Sequence, residues 1–217
     1  IVRADETTTV KYIGRVDRAG EPTSGLVVYA NKTARVRAND NTISYSNGDV
    51  YKGETKKMLK HGYGKYVFDN GDVYEGTFVN DVISGEGTYT YKNGDIYQGG
   101  FKEGVRSGEG SITFADGTNF TGHFENNLRS GAGKQTYANG DVYEGNYADN
   151  MKNGMGTITY ANGDVYTGEF VDDKREGTGT YTWKNGESYT GDFSGDQANG
   201  TGTYTGKFSN GTMVLDE

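Results

Sequence analysis

Asp72-Val73-Tyr74-Glu75-Gly76-Thr77-Phe78, then Gly87-Thr88-Tyr89-Thr90-Tyr91, then Asn93-Gly94-Asp95, is the stretch whose reading decides the fold. In an extended chain Tyr74, Gly76 and Phe78 fall on one face, with Glu75 and Thr77 on the other. The second segment alternates the same way, aromatics to one side and threonines to the other. Asn93-Gly94 is the strongest short hairpin signal and predicts a type I′ turn, with positive φ at both central residues. The stretch from Val79 to Ser84 is polar, differs most between copies, and reads as a loop.

The phrase recurs without gain or loss of a residue. Asn47-Gly48-Asp49-Val50-Tyr51-Lys52-Gly53 returns with small changes from Asn70, Asn93, Asp116, Asn139, Asn162 and Asn185, each copy 23 residues after the last. Units open on Tyr51, Tyr74, Tyr97, Phe120, Tyr143, Tyr166 and Tyr189, with a glycine two residues later. A second aromatic follows at Phe78, Phe101, Phe124, Tyr147, Phe170 and Phe193, and the first unit has Thr55 there. A Gly-x-Gly pair comes next, as in Gly85/Gly87, and aromatics close most units at Phe68, Tyr91, Phe114, Tyr137, Tyr160 and Trp183. A fixed period of this length means stacked units, each unable to bury its apolar side without neighbours.

Composition points the same way. The 217 residues include 36 Gly and 18 Tyr but one Pro and no Cys, and only 32% are hydrophobic. A thin sheet packed through rings on glycines suits this better than a thick core, and helix is disfavoured because each glycine costs a helix about 1 kcal/mol. Glycine opposite a large ring leaves room for that ring to lie on bare backbone. Two strands per unit, each adding about 4.8 Å, give about 10 Å per repeat and roughly 65–70 Å for seven.

Tyr166-Thr167-Gly168-Glu169-Phe170, Gly177-Thr178-Gly179-Thr180-Tyr181-Thr182-Trp183 and Asn185-Gly186 together closely resemble the unit of MORN repeats (membrane occupation and recognition nexus). The match runs from Tyr51 to about Gly202. The resemblance implies an all-β fold: an elongated, single-layer, twisted antiparallel sheet of stacked hairpins with a grooved face. Relatives of this kind are mainly scaffolds and adaptors, some fused to lipid kinases or protein methyltransferases, and phosphoinositide binding has been proposed for several. They also give precedent for end-to-end dimers.

Outside the regular array the rhythm changes. Tyr12, Gly14, Gly25, Tyr29 and Asn31 keep the spacings of Tyr51, Gly53, Gly64, Phe68 and Asn70, so a worn copy starts at Tyr12, with Lys32 in place of the glycine after Asn. A shortened unit follows, Arg35-Val36-Arg37 and Thr42-Ile43-Ser44-Tyr45 joined through Asn39-Asp40-Asn41. The organisation expected is an N-terminal tail over 1–11, degenerate capping repeats over 12–50, seven repeats over 51–211 and a C-terminal tail over 212–217. Gly202 to Asn210 is two residues longer than its counterparts, which predicts a closed or bent last hairpin. Open edges invite pairing, so the end units are either blunted or used to form a homodimer.

Net charge is −8. Residues 1–46 hold seven Lys/Arg against five Asp/Glu, and the remainder 15 against 25. No domain-wide basic stripe exists, which argues against nucleic acid and weakens general affinity for anionic membranes. The local exception is Lys52, Lys56, Lys57, Lys60, His61 and Lys65. Lys52, Lys56, Lys57 and Lys60 are the candidate anion-binding residues, against the plainer reading of a solvated charge run. Asp49, Asp72, Asp95, Asp141 and Asp164 follow successive turns, one per repeat. Calcium needs six to eight oxygens within about 2.6 Å, so this row is no metal site; each Asp is expected to bond its own turn backbone.

Phe78, Phe101, Phe124, Tyr147, Phe170 and Phe193 read as packing. Tyr89, Tyr181, Trp183 and Tyr204 are the candidate partner contacts, because Tyr and Trp favour positions with one apolar and one wet side. There is no Cys nucleophile and no Gly-x-Ser-x-Gly elbow, and His61 and His123 are the two histidines, neither with an implied partner. No enzymatic activity, cofactor or metal is expected. Val2-Arg3-Ala4 before Asp5 resembles the small-residue end of a signal peptide, which favours a bacterial envelope or secreted protein over a cytoplasmic one. No apolar run approaches the roughly 18 residues of a membrane-spanning helix.

Two functions of different class follow. The first is a non-enzymatic scaffold that meets a protein partner through a grooved aromatic face. The second is a surface module for anionic phospholipid or cell-wall glycan, or the accessory domain of a longer enzyme.

Overall fold

The computed structural model describes residues 9–19, 22–29, 32–37 and 41–206. The junction at Val2-Arg3-Ala4, Asn31, Asn39-Asp40, the part of the lengthened stretch beyond Gly206 and the tail over 212–217 lie outside the described residues. Among the described residues there are eighteen β-strands and no helix.

The chain forms two compact units, Ile1–Ala115 and Asp116–Glu217. The first contains β1 (Thr9–Val16), β2 (Pro22–Tyr29), β3 (Thr33–Arg37), β4 (Thr42–Tyr45), β5 (Val50–Lys56), β6 (Leu59–Val67), β7 (Val73–Val79), β8 (Val82–Thr90), β9 (Ile96–Lys102) and β10 (Val105–Thr113). Each pairs antiparallel with the next in sequence. The second contains β11 (Asn119–Glu125), β12 (Leu128–Thr136), β13 (Val142–Ala148), β14 (Met151–Thr159), β15 (Val165–Val171), β16 (Lys174–Thr182), β17 (Ser188–Ser194) and β18 (Gln197–Thr205), paired in the same way. Substantial contact is confined to strands adjacent in sequence, so each unit is a single layer of successive hairpins.

What lets one layer bury its own rings is the seat under each opening tyrosine. Tyr74 lies over Gly76 on its own strand and Gly87 on the next, and these two glycines face each other in the register. A Cβ added at Gly87 would stand 2.4 Å from the Tyr74 hydroxyl and 2.5 Å from a ring carbon. The hydroxyl reaches past the glycines and donates to the carbonyl of Thr77 at 3.1 Å. The same seat recurs under Tyr51, Tyr97, Tyr143, Tyr166 and Tyr189, and under Tyr12 in the worn first copy, where Gly14 faces Gly25. Phe120 fills it without a hydroxyl.

The second aromatic, present in every unit but the first, packs edge-to-face against the ring. Tyr51, Phe78, Tyr74, Phe101 and Tyr97 run edge-to-face in sequence, with centroids 5.1–5.2 Å apart. In the second unit Phe124, Phe120, Tyr147, Tyr143, Phe170, Tyr166, Phe193 and Tyr189 continue the pattern at 5.0–5.5 Å. Each such pair contributes about 0.5–1.5 kcal/mol beyond the area it buries. Tyr51, Tyr74, Tyr97, Phe120, Tyr143 and Tyr166 are all 0% exposed.

The turns are the reverse of the sequence expectation. At Asn93-Gly94 only the glycine has positive φ, +97°. Gly94 N–H donates to Tyr91 O at 2.9 Å and Tyr91 N–H to Asp95 O at 2.8 Å, a three-residue connection closed by a left-handed glycine. Asn93 stays right-handed because its side chain bonds forward, accepting from Asp95 N–H at 3.1 Å and donating to the Asp95 carboxylate at 3.0 Å. Two consecutive positive φ angles occur instead at the other end of the hairpins: Asn80 and Asp81 (49° and 71°), Asn126 and Asn127, Asp149 and Asn150, Asp172 and Asp173. Val79–Ser84 is therefore not a loop, since β7 reaches Val79 and β8 starts at Val82. Short Asn and Asp side chains tolerate the left-handed region, so a two-residue turn suffices.

Gly87→Ala is expected to destabilise the protein by about 1–3 kcal/mol through overpacking alone, because Gly87 has an ordinary strand φ. Tyr74→Ala should then cost less in the Gly87→Ala background than in the wild type, since the two changes share one contact. Urea denaturation of the four proteins checks this; additive costs would contradict the seat.

Candidate functional site

In each unit the face that carries the rings also carries cations at one position of the period. Lys60, Ile83, Arg106, Arg129, Lys152, Arg175 and Ala198 occupy the second residue of alternate strands, 23 apart. The charged members lie over rings: Lys60 5.2 Å from the Tyr45 centroid and 5.3 Å from Tyr66, Arg129 5.0 Å from Tyr147, Lys152 5.7 Å from both Tyr137 and Tyr143, and Arg175 5.5 Å from Tyr166 and 5.7 Å from Tyr181.

Lys60, Arg129, Lys152 and Arg175 also engage the two-residue turn one repeat on. Lys60 N–H donates to Asp81 Oδ1 at 2.7 Å while its ammonium stands 3.1 Å from the same oxygen. Arg129 N–H donates to Asn150 Oδ1, Lys152 N–H to Asp173 Oδ1 and Arg175 N–H to Asp196 Oδ1, each at 2.9 Å. Where the row has Ile83, the turn has Gly104. The pairing of cation with polar turn, and of apolar residue with glycine, is thus written within one chain.

The opposite margin is held by a second ladder. Asp72 Oδ1 accepts from Lys92 N–H at 2.8 Å, and its Oδ2 accepts from the Tyr89 hydroxyl at 2.8 Å and the Asn70 amide at 3.0 Å. Asp164 repeats this with Lys184, Tyr181 and Asn162. Burial would raise these two carboxyls, but the bonds from the Lys and Tyr donors and the Asn amide outweigh it and hold both below the ordinary carboxylate range. The Asp row is structural, yet it bonds the next repeat's turn; the residue that caps its own turn is Asn. At the irregular copy Asp116 takes the Asn role, accepting from Thr118 N–H, and Thr118 accepts from Ala138 N–H at 3.3 Å.

Between these two margins the second unit has a groove of about 590 Å³. Thr118, Tyr137, Ala138, Asn139 and Asp141 bound it on the Asn-Gly side, Asp173 and Asp196 on the other, with Ile158, Tyr160, Lys152 and Arg175 between. Its charges are unequally presented. The side chains of Lys152 and Arg175 are 14% and 19% exposed, whereas their partners Asp173 and Asp196 are 53% and 51% exposed.

The structure brings together three of the four expected partner contacts. Tyr181, Trp183 and Tyr204 form a half-buried run in the second unit, with centroids 5.1 Å and 5.9 Å apart. Tyr89 does not join them: in the first unit it is 3% exposed, its ring is 4.5 Å from Tyr91 and its hydroxyl is spent on Asp72, so it packs rather than presents. The anion candidates are also divided. Lys52, Lys56 and Lys57 are exposed, but Lys60 is 0% exposed on the aromatic face, bonded to Asp81 and, at 3.0 Å, to the Tyr45 hydroxyl. Burial pushes its ammonium down and Asp81 pulls it back, with a net lowering. An enclosed, already paired ammonium cannot serve a soluble anion. Tyr137, Tyr160, Lys152 and Arg175 were absent from the sequence-based candidates; the recurrence of Arg106, Arg129, Lys152 and Arg175 at one position of the period was the available signal.

Seven consecutive matches to the MORN repeat family model cover residues 51–73, 74–96, 97–119, 120–142, 143–165, 166–188 and 189–213. The chain belongs to the MORN-repeat family. No curated protein matches it. Among solved structures it is similar to the G-box domain of the microcephaly protein CPAP, at 16% identity and TM-score 0.49 over 85% of this chain and 99% of that one. It is also similar to the TCP10 domain of Danio rerio CPAP in complex with a peptide of Danio rerio STIL, at 16% identity and TM-score 0.47 over 83% and 88%. A third is the TCP domain of Drosophila melanogaster SAS-4 in complex with a proline-rich motif of Ana2, at 13% identity and TM-score 0.39 over 91% and 97%.

Lys60→Ile leaves Asp81 buried without its cation and is expected to cost about 3–5 kcal/mol. Lys60→Ile/Asp81→Gly, which copies Ile83 and Gly104 of the next repeat, should regain most of that loss. Thermal and urea unfolding compare the two; a double variant no more stable than the single one would contradict the pairing.

Proposed function

We propose that this MORN-repeat protein is a non-enzymatic scaffold that holds a partner protein on the aromatic face of its second unit. The observation that carries the reading is the half-open row of rings there. Tyr137, Tyr160, Tyr181 and Trp183 keep one side on packed neighbours and the other towards solvent, beside a groove bounded on both margins by fixed turns. Rings held this way offer large contact area at little cost in conformational freedom, the usual character of residues that dominate binding energy. A rigid floor also suits a scaffold, since the seats beneath the inner rings leave no slack for rearrangement. Tyr204 extends the row at the end of β18. The strands before Tyr51 serve as a cap on the repeat array, and β1 opens at Thr9, within the stretch expected as a tail.

Tyr160→Ala and Trp183→Ala are each expected to weaken partner binding by about 2 kcal/mol, roughly 30-fold, without changing the far-ultraviolet circular dichroism. Lys52→Glu/Lys56→Glu/Lys57→Glu, in the first unit, should leave it unchanged. Calorimetric titration of the purified partner measures both. Loss of binding in the lysine variant with Tyr160→Ala and Trp183→Ala silent would replace this reading with the charged-surface one.

A further inference from the structure

We infer that the groove of the second unit takes a basic segment of a partner protein, whose Lys or Arg stems lie along Tyr137 and Tyr160 and whose charges meet Asp173 and Asp196. This rests on the groove being the contact surface and adds the chemistry of what it contacts.

Three observations converge on it. The net charge is confined to one unit: residues 116–217 hold seven Lys/Arg against 15 Asp/Glu, leaving 15 against 15 in residues 1–115. The groove therefore sits in the part of the chain that carries the whole −8. Within the groove the cations are enclosed and the carboxylates face out, so a ligand meets the acids first. Oδ1 of Asp173 and of Asp196 accepts from the backbone N–H of Lys152 and Arg175 and faces their side-chain cations, which fixes each carboxylate while its side chain stays half exposed. The chain also shows on this same face what its rings accept, since Lys152 lies over Tyr137 and Arg175 over Tyr181. An incoming Lys or Arg finds both halves of that arrangement, a ring for the stem and an acid for the head.

Spacing narrows the segment. Asp173 and Asp196 are one repeat apart, two strands or about 10 Å. Cations three residues apart in a polyproline II segment are separated by about 9.3 Å along one side. Cations seven apart on a helix are separated by about 10.5 Å. One basic residue per MORN repeat satisfies either conformation.

The probe is a peptide of Arg-Pro-Pro triplets titrated calorimetrically into the full chain at low salt, with a Glu-Pro-Pro counterpart. The arginine peptide is expected to bind and the glutamate peptide not. Asp173→Asn/Asp196→Asn keeps both Oδ1 acceptors and should weaken binding by about tenfold or more, as should Tyr160→Ala. Glu144→Gln/Glu169→Gln removes two charges from the other face and should leave affinity within about twofold, with rising salt weakening every positive case. Equal loss in the Glu144/Glu169 variant, equal binding of the glutamate peptide, or no binding of the arginine peptide would overturn the inference. If the arginine peptide fails while Tyr160→Ala still weakens the protein partner, the basic class falls and the groove stands; if both fail, the groove falls too.

Discussion

A tyrosine ring laid on two facing glycines is the contact on which the rest of this structure depends. A single-layer sheet has no second layer to dry its apolar side, so it must bury each ring within its own thickness. Gly76 and Gly87 make that space under Tyr74, and Phe78 and Phe101 close it from the edges. The arrangement also explains why the period tolerates no insertion. A slip of one residue in pairing moves every side chain to the other face, and would set a ring on a rung that carries a side chain. The threonine, lysine and glutamate ladder on the polar face, such as Thr180 with Thr190 at 2.9 Å and Lys134 with Glu144 at 2.6 Å, adds register but little energy.

Function then separates from stability along each hairpin. The inner rings are sealed and their hydroxyls spent on local carbonyls. The outer rings, from Tyr137 to Trp183, are only half-buried. Between them Lys60, Arg129, Lys152 and Arg175 each tie their repeat to the next through a side chain and a backbone bond to the same turn. Stiffness and exposure are thus delivered by the same 23 residues, so a contact surface can be lengthened by adding units without redesigning a core.

The sequence disclosed the strands, their faces and the ring-on-glycine packing because all three follow from period-two alternation, as in Tyr74, Gly76 and Phe78. It misled where a side chain overrides a local preference. Asn93-Gly94 signals a type I′ turn, but the bonds of Asn93 to Asp95 hold it right-handed, and the left-handed pair moves to Asn80-Asp81. Lys60 sits in a run of lysines that reads as surface, yet strand alternation turns it to the opposite face from Lys52 and Lys56, where Asp81 neutralises it. The groove was illegible for a related reason. Net charge averages over Lys152, Arg175, Asp173 and Asp196, and only their unequal exposure reveals an acidic rim.

The most direct test of the ring seats is the ionisation of the tyrosines they hold. Burial pushes Tyr97, Tyr143 and Tyr166 up to about 12, from an ordinary value of 10.0. A phenol whose folded value is raised stabilises the fold fully below its unfolded value, and that contribution is lost as pH rises through the folded one, here between about 10 and 12. Alkaline titration followed by tyrosinate absorbance and circular dichroism should therefore show these rings ionising only as the sheet unfolds near pH 12. Their ionisation near pH 10 in a sheet that keeps its β signal would mean that the seats are open to water and the account is wrong.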